Sequence, residues 1–195
     1  MDDRLRKQLD FILEINKEKT ILRQSHVTET RRENDAEHSW HIAVMIYLLK
    51  EYANEEFDVA KAMMMALIHD VVEIDAGDTY AYDVQGLASQ QEREEKAAER
   101  IFGLLPAEQK AEMIALFHEF EACETPEARF ARVMDNLQPV MLNDLHNGMD
   151  WRAHQVCKSQ VLKRNQKTSL ASDTLWQFVQ SLVEKNVAKG NLKDE

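Results

Sequence analysis

Seven apolar residues in a row, Ala62–Ile68, run straight into His69-Asp70, and Val71-Val72 follow. A helix that is apolar on every side has no solvent face, so it must sit at the centre of a larger assembly of elements. An ionised Asp there costs several kcal/mol of desolvation, by rough reckoning, unless something compensates it. Glu73 adds to the problem. At about 100° per residue, Asp70 lies about 100° from His69, and Glu73 about 40° round, between the two. Three polar groups thus share one edge of an otherwise buried helix.

The rest of the chain also reads as helical. Only 5 Gly and 3 Pro occur in 195 residues, roughly a third of the usual share. An all-β chain needs far more turn punctuation. Ala, Leu, Met, Glu, Lys and Gln are plentiful, and these lose little rotamer freedom in a helix. The hydrophobic share of 44% is enough for a full core without disulfide or metal staples. The expected fold is all-α, as one domain over residues 1–189 with a frayed tail at 190–195.

The spacing of Leu5, Leu9, Ile12 and Leu13 predicts a helix over 2–17. Residues 18–33 are dense in charge and read as a loop with one short turn. Asn34 with Glu37 is a capping-box-like start, and Trp40, Val44, Tyr47 and Leu48 carry that helix to about Ala53. Asp58 caps a helix from Val59 to about Ile74. Residues 75–88 read as irregular, with helices following at 89–103 and from Pro106 to about Ala122. Thr125-Pro126 is an N-cap and first-position pair opening a helix past Asp135, which Pro139 should kink or end. Two more helices are expected near 152–166 and 170–188.

The net charge of −11 argues against binding a nucleic-acid polymer or an anionic membrane, both of which call for a basic face. Cys123 and Cys157 have no metal spacing and read as reduced packed thiols. The N-terminal stretch has no apolar signal region, and no run approaches the length of a membrane span. A cytoplasmic location is expected.

An imidazole and a carboxylate on one helix edge reach a single divalent cation, which removes the electrostatic penalty. Further ligands must come from elsewhere. His38 and His41 share a face at i and i+3. Asp135 interrupts the apolar pattern of Phe130, Val133, Met134 and Leu137. The Met63–Met65 run reads as core, and the charged stretch Glu92–Arg100 as a solvated helix face.

At these residues the sequence resembles the HD-domain superfamily of metal-dependent phosphohydrolases. The matching residues are His38 within Glu37-His38-Ser39, the doublet His69-Asp70, and Asp135. The strings 32–40, 68–73, 76–79 and 125–130 resemble the branch that includes bacterial HD-domain 5′-deoxynucleotidases. The resemblance implies a helical bundle with a central metal held by His38, His69, Asp70 and Asp135. It further implies catalytic roles for Glu73 and Asp78, activating water and protonating the leaving oxygen. That branch has an Arg-Trp pair ahead of the first His. The stretch 16–23 here has no Trp, and Lys19 or Arg23 stands for the Arg. Arg31, Arg32 and Thr79 are further candidates for the substrate. Only His118 lies between the doublet and Asp135, so one metal ion is expected, Mn²⁺, Co²⁺ or similar.

The implied activity is a phosphomonoesterase acting on a small phosphorylated metabolite, a nucleoside or deoxynucleoside 5′-monophosphate. An alarmone-type pyrophosphohydrolase and a non-catalytic metal- or nucleotide-binding module are the alternatives. A homodimer is expected, with Trp151 and Trp176 as surface candidates for its interface.

Overall fold

The computed structural model describes residues 2–82 and 84–195, so Asp83 of the expected irregular stretch lies outside them. The elements run α1 (Asp3–Ile15), a 3₁₀ helix (Asn16–Thr20), β1 (Leu22–Thr28), β2 (Arg31–Asn34), α2 (Asp35–Leu49), α3 (Val59–Ile68) and α4 (Glu73–Ala76). They continue with α5 (Val84–Phe102), α6 (Ala107–Ala122), α7 (Pro126–Leu145), α8 (Met149–Ala153), α9 (Lys158–Asn165), α10 (Thr168–Ala171) and α11 (Asp173–Ala188).

Helices α2, α3 and α7 pack on one another at the centre. The main core joins Ile42 and Ile46 of α2, Met65 of α3, Phe120 of α6, and Phe130, Met134 and Leu137 of α7. Met65 is fully buried, a contribution of about 1.5–3 kcal/mol for such a side chain. A second core packs Val71 and Val72 against Ile101, Phe102 and Phe117.

The caps form where the sequence puts them. Glu37 N–H donates to Asn34 Oδ1 at 3.0 Å, and Asn34 N–H donates back to Glu37 Oε2 at 3.2 Å. Thr125 accepts from Ala128 N–H, with Pro126 in the first turn of α7. Pro139 does not end α7, which runs on to Leu145. Lacking an N–H, it leaves the Asp135 carbonyl without its helical donor.

Several expectations are corrected. Residues 18–33 are not a loop with one turn. They hold a 3₁₀ helix and most of an antiparallel hairpin, pairing His26 with Arg32 and Thr28 with Arg31. The helix from Val59 stops at Ile68, because the Ala66 carbonyl accepts from the His69 ring at 2.8 Å. That carbonyl is the acceptor the helical ladder would hand to residue 70. Tighter bonds follow, Val71 N–H to the Ile68 carbonyl and Ile74 N–H to that of Val71. The irregular stretch is shorter than expected, since α5 begins at Val84. The region 152–166 holds the end of α8 and all of α9.

The apolar stripe of α2 also faces the other way. Trp40, Tyr47 and Leu48 are 64%, 55% and 62% exposed, while His38, Ser39, Ile42, Ala43, Met45 and Ile46 are buried. Trp151 is buried rather than on the surface. The tail is not frayed. Leu192 and Asn191 are buried, and Lys158 N–H donates to the Lys193 carbonyl at 2.8 Å. Gly148 (φ +66°) permits this docking, because a Cβ there would lie 2.4 Å from the Asn191 side chain.

Candidate metal centre

Each of the three central helices delivers one side chain to a common point. His38 comes from the first turns of α2, His69 from the end of α3, and Asp135 from the middle of α7. Their ligand atoms lie within 4.8 Å of one another, and all three are buried. His38 Nε2 is 3.1 Å from Asp135 Oδ1, and His69 Nε2 is 3.7 Å from the same oxygen. Asp70 joins them, with Oδ1 3.0 Å from His69 Nε2 and Oδ2 3.9 Å from His38 Nε2.

The far side of each ring is fixed. His69 Nδ1 meets the Ala66 carbonyl, which only accepts, so Nδ1 carries the proton. His38 Nδ1 faces Gln138 Oε1 at 3.2 Å. Gln138 is turned that way because its Nε2 donates to Glu33 Oε1 at 2.6 Å. Both Nε2 atoms are thereby presented to the carboxylates, the arrangement that orients metal-ligating imidazoles.

A divalent cation fits these residues. Among the described residues His69 Nε2 is buried without an aligned hydrogen bond, although Asp70 Oδ1 is 3.0 Å away. Ligand atoms about 2.1 Å from a shared ion stand about 3.0–3.4 Å apart. The 3.0 and 3.1 Å separations fall in that range and the 3.7 and 3.9 Å ones lie just beyond it, so small shifts would let the two imidazoles and two carboxylates share one cation.

A second group adjoins the first, with ligand atoms of Asp35, Asp70 and Glu73 within 4.8 Å of one another. Arg23 of β1 reaches into it, its Nη1 lying 2.6 Å from Asp70 Oδ2 and 3.4 Å from Asp35 Oδ1. Glu73 Oε2, Asp35 Oδ2 and Glu33 Oε2 are buried with no hydrogen-bond partner among the described residues. Arg132 lies over the Phe120 ring, 3.9 Å from its centroid, and donates to Asp135 Oδ2 at 3.3 Å. Phe120 in turn packs edge-on against the His69 ring.

Crowding of acids in a buried place moves their protons. Burial pushes the Glu18 carboxyl up to about 7, with the Asp70 charge adding to it. Burial and Asp70 likewise raise Asp35 to about 7. Glu73 stands well above the ordinary Glu value through burial and the charges of Asp70 and Asp35. Burial raises Asp78 too, against the pull of Arg23. For His69, burial disfavours the charge, but Asp70 and Asp135 outweigh it and lift the ring to about 10. His38 is also raised, since Asp135 and Glu33 outweigh burial and Arg23. Asp70 and Asp135 are held below the ordinary range, burial notwithstanding, by the two rings and the nearby arginines. Without a metal, protons supply part of the positive charge that the acids demand.

The remaining candidates fall into two sets. Arg23, Asp78 and Thr79 line a cavity of about 80 Å³ beside the metal-type group. Thr79 Oγ1 accepts from Arg93 at 2.8 Å. An open cleft of about 970 Å³ adjoins it, sharing Tyr82, Asn136 and Arg164 with the smaller cavity. Lys19, Arg31 and Arg32 are exposed and line neither. Lys19 donates to Asn16, and Arg31 is paired with Glu37. Of Lys19 and Arg23, the structure therefore brings only Arg23 to the group. His41 contacts Gln138 rather than the group itself.

A model of the HD domain family matches residues 15–176. The chain belongs to the HD domain family. Among HD-type and related structures, a predicted metal-dependent phosphohydrolase from Magnetospirillum magnetotacticum MS-1 is 48% identical, with a TM-score of 0.94 over 98% of this chain and 96% of that one. The 5′-deoxynucleotidase HDDC2 of Homo sapiens is 27% identical over 70% of this chain and 66% of its own length. The HDDC2 of Dictyostelium discoideum is 29% identical over 68% of this chain and 74% of its own length. The chain thus matches about two thirds of the human relative's length.

Sequence reasoning did not single out Glu18, Asp35, Arg132 or Gln138. Gln138 had a signal, a polar residue one turn after Asp135 among Val133, Met134 and Leu137. Glu18 had none, because the 3₁₀ helix that buries it is fixed by packing on α2.

Proposed function

We propose that this HD domain protein is a metal-dependent phosphohydrolase that removes phosphate from a nucleoside or deoxynucleoside 5′-monophosphate. The convergence of His38, His69, Asp70 and Asp135 beside Arg23, Glu73 and Asp78 carries the reading. The relatives named as a metal-dependent phosphohydrolase and as 5′-deoxynucleotidases support it. A mixed set of two imidazoles and two carboxylates suits one borderline ion such as Mn²⁺ or Co²⁺.

When bound, that ion supplies Lewis-acid polarisation and lowers the pKa of water. Arg23 stays charged beside Asp70 and offers its remaining N–H groups to a phosphate oxygen. Glu73, with Oε2 unpartnered, takes a proton from the water that attacks phosphorus. The ester P–O bond breaks as the new one forms. Asp78 gives its proton to the leaving 5′ oxygen, and phosphate and nucleoside are the products. Thr79, anchored by Arg93, closes that side of the cavity.

The same reading takes residues 1–189 as one unit working in the cytoplasm on a small metabolite. Among the described residues no helix is long and apolar enough to cross a membrane. The exposed Trp40, Tyr47 and Leu48 face of α2 is read as the homodimer interface, tested by the loss of dimer mass in Trp40→Glu. The activity is tested by incubating the Mn²⁺- or Co²⁺-loaded protein with nucleoside monophosphates. Release of inorganic phosphate is expected. Release of pyrophosphate from a pyrophosphorylated nucleotide instead, or no release with any metal, overturns the reading.

A further inference from the structure

The open cleft of about 970 Å³ beside the small cavity is lined by charges of both signs, and the two signs are treated differently. Its acids are engaged. Glu94 accepts from Gln90 at 2.6 Å, Glu95 meets the His118 ring at 3.0 Å, and Glu121 holds Arg132 at 2.7 Å. The cations contributed by α9 and the turn after it are not engaged. Lys163, Arg164 and Lys167 line the cleft, and among the described residues none of the three side chains has a hydrogen bond or an ion pair.

The backbone brings these three together. Lys163 and Arg164 stand in the last turn of α9, and the chain keeps right-handed helical angles through Gln166 and Lys167. Lys167 therefore comes about one turn, roughly 6 Å, beyond Lys163 on the same face. The dipole of α9 favours cations in its last turn. It gives no reason for a third one past the helix, and like charges one turn apart repel. In a chain of net charge −11, three neighbouring cations left without a carboxylate mark a place suited to an outside anion.

Arg164 ties this wall to the reacting end, because it lines both the cleft and the small cavity. Burial raises Asp78 and Tyr82, and the Arg164 charge opposes the rise at both, so the guanidinium stands near each. At about 80 Å³ the small cavity has no room for a nucleoside. The leaving group of an ester held at Arg23 and Asp78 must extend into the cleft, past Arg164.

We propose that Lys163, Arg164 and Lys167 form a second anion site in the open cleft, which selects nucleotides whose leaving group carries a further phosphate, as in a nucleoside 3′,5′-bisphosphate. The proposal rests on the phosphohydrolase reading above and names a substrate class within it. The 5′ ester is hydrolysed as described, and the 3′ phosphate stays on the departing nucleoside. Lys163 and Lys167 act on specificity and touch no reacting atom.

The test compares deoxyadenosine 5′-monophosphate with deoxyadenosine 3′,5′-bisphosphate on the metal-loaded protein, with the dephosphorylated products resolved by chromatography. Wild type is expected to show a kcat/KM about 10-fold higher for loss of the 5′ phosphate from the bisphosphate, mainly through KM. The preference should shrink as KCl is raised, because exposed charges are screened. In the double variant Lys163→Glu, Lys167→Glu the ratio of the two kcat/KM values falls about 10-fold. Both lysines are exposed and outside the core, so the substitutions spare the fold. Equal values in wild type, a ratio unmoved by the variant, or a preference indifferent to salt overturns the second site. A wild type that turns over neither compound overturns the phosphohydrolase reading instead. The site is then judged by calorimetric binding of the same two compounds. Tighter binding of the bisphosphate that the double variant loses upholds it, and equal affinities refute it.

Discussion

Glu18 offers the sharpest test of how the buried acids are balanced. It is 6% exposed, and Ser39 Oγ donates to its Oε1 at 3.4 Å. Its carboxyl is raised from 4.5 to about 7, first by burial and then by Asp70. A carboxyl whose folded value is raised favours the fold fully below its unfolded value, and that contribution is lost as pH rises through the folded value. Metal-free protein therefore loses stability on this account between about pH 4.5 and 7. The shift corresponds to about 3 kcal/mol at pH 8. Gln keeps the shape and the acceptor for Ser39 but has no charge to desolvate. Glu18→Gln in EDTA is thus expected to gain about 3 kcal/mol in urea unfolding at pH 8 and almost nothing at pH 4. A bound divalent cation draws the carboxyl back toward its ordinary value, so the gain should shrink when the metal is restored. An equal effect at both pH values, or a destabilised variant at pH 8, would show that Glu18 is held by specific bonds rather than tolerated against its charge.

Three further outcomes follow from the same geometry. Because His69 is lifted to about 10 and His38 is also raised, metal must displace protons at neutral pH. Affinity should climb from pH 6 to 9, and calorimetry in buffers of different ionisation enthalpy should register proton release. Glu73→Gln is expected to lower kcat by about 10²–10⁴ while metal content, read by elemental analysis, stays near that of wild type. Leu192→Ala removes a side chain that is 4% exposed and should cost about 2–3 kcal/mol in chemical unfolding. A fully stable variant would mean that the tail is not docked in solution.

The parts of the site legible in the sequence were those that broke a pattern. The doublet stood out because it interrupts the apolar run 62–72, and Asp135 because it interrupts the apolar face of α7. The Asn34–Glu37 box was legible because a cap is a local bond. The hairpin was not. Its strands, Leu22–Thr28 and Arg31–Asn34, have no apolar alternation, and Glu29-Thr30 is not a turn pair that favours positive φ. It forms because Arg23 is drawn inward to the carboxylates of Asp35 and Asp70, and Glu33 to the Gln138 amide of α7. The α2 stripe misled for a related reason. Periodicity finds an apolar face, but the face that is buried carries His38 and Ser39, and the larger apolar side chains were left outside.

The docking of residues 191–195 has a consequence for how this protein is handled. Lys158 N–H and Ser159 N–H, at the start of α9, donate to the carbonyls of Lys193 and Glu195 at 2.8 and 3.0 Å. About two turns further along that helix stand Arg164 and Asn165, which wall the small cavity. Residues 191–195 are therefore a lever on the α9 side of the pocket, while the residues proposed to hold the metal stand on α2, just after α3 and on α7. On the proposed phosphohydrolase reading, a bulky adduct on this docked segment should alter which phosphate ester is preferred before it alters how tightly the ion is held.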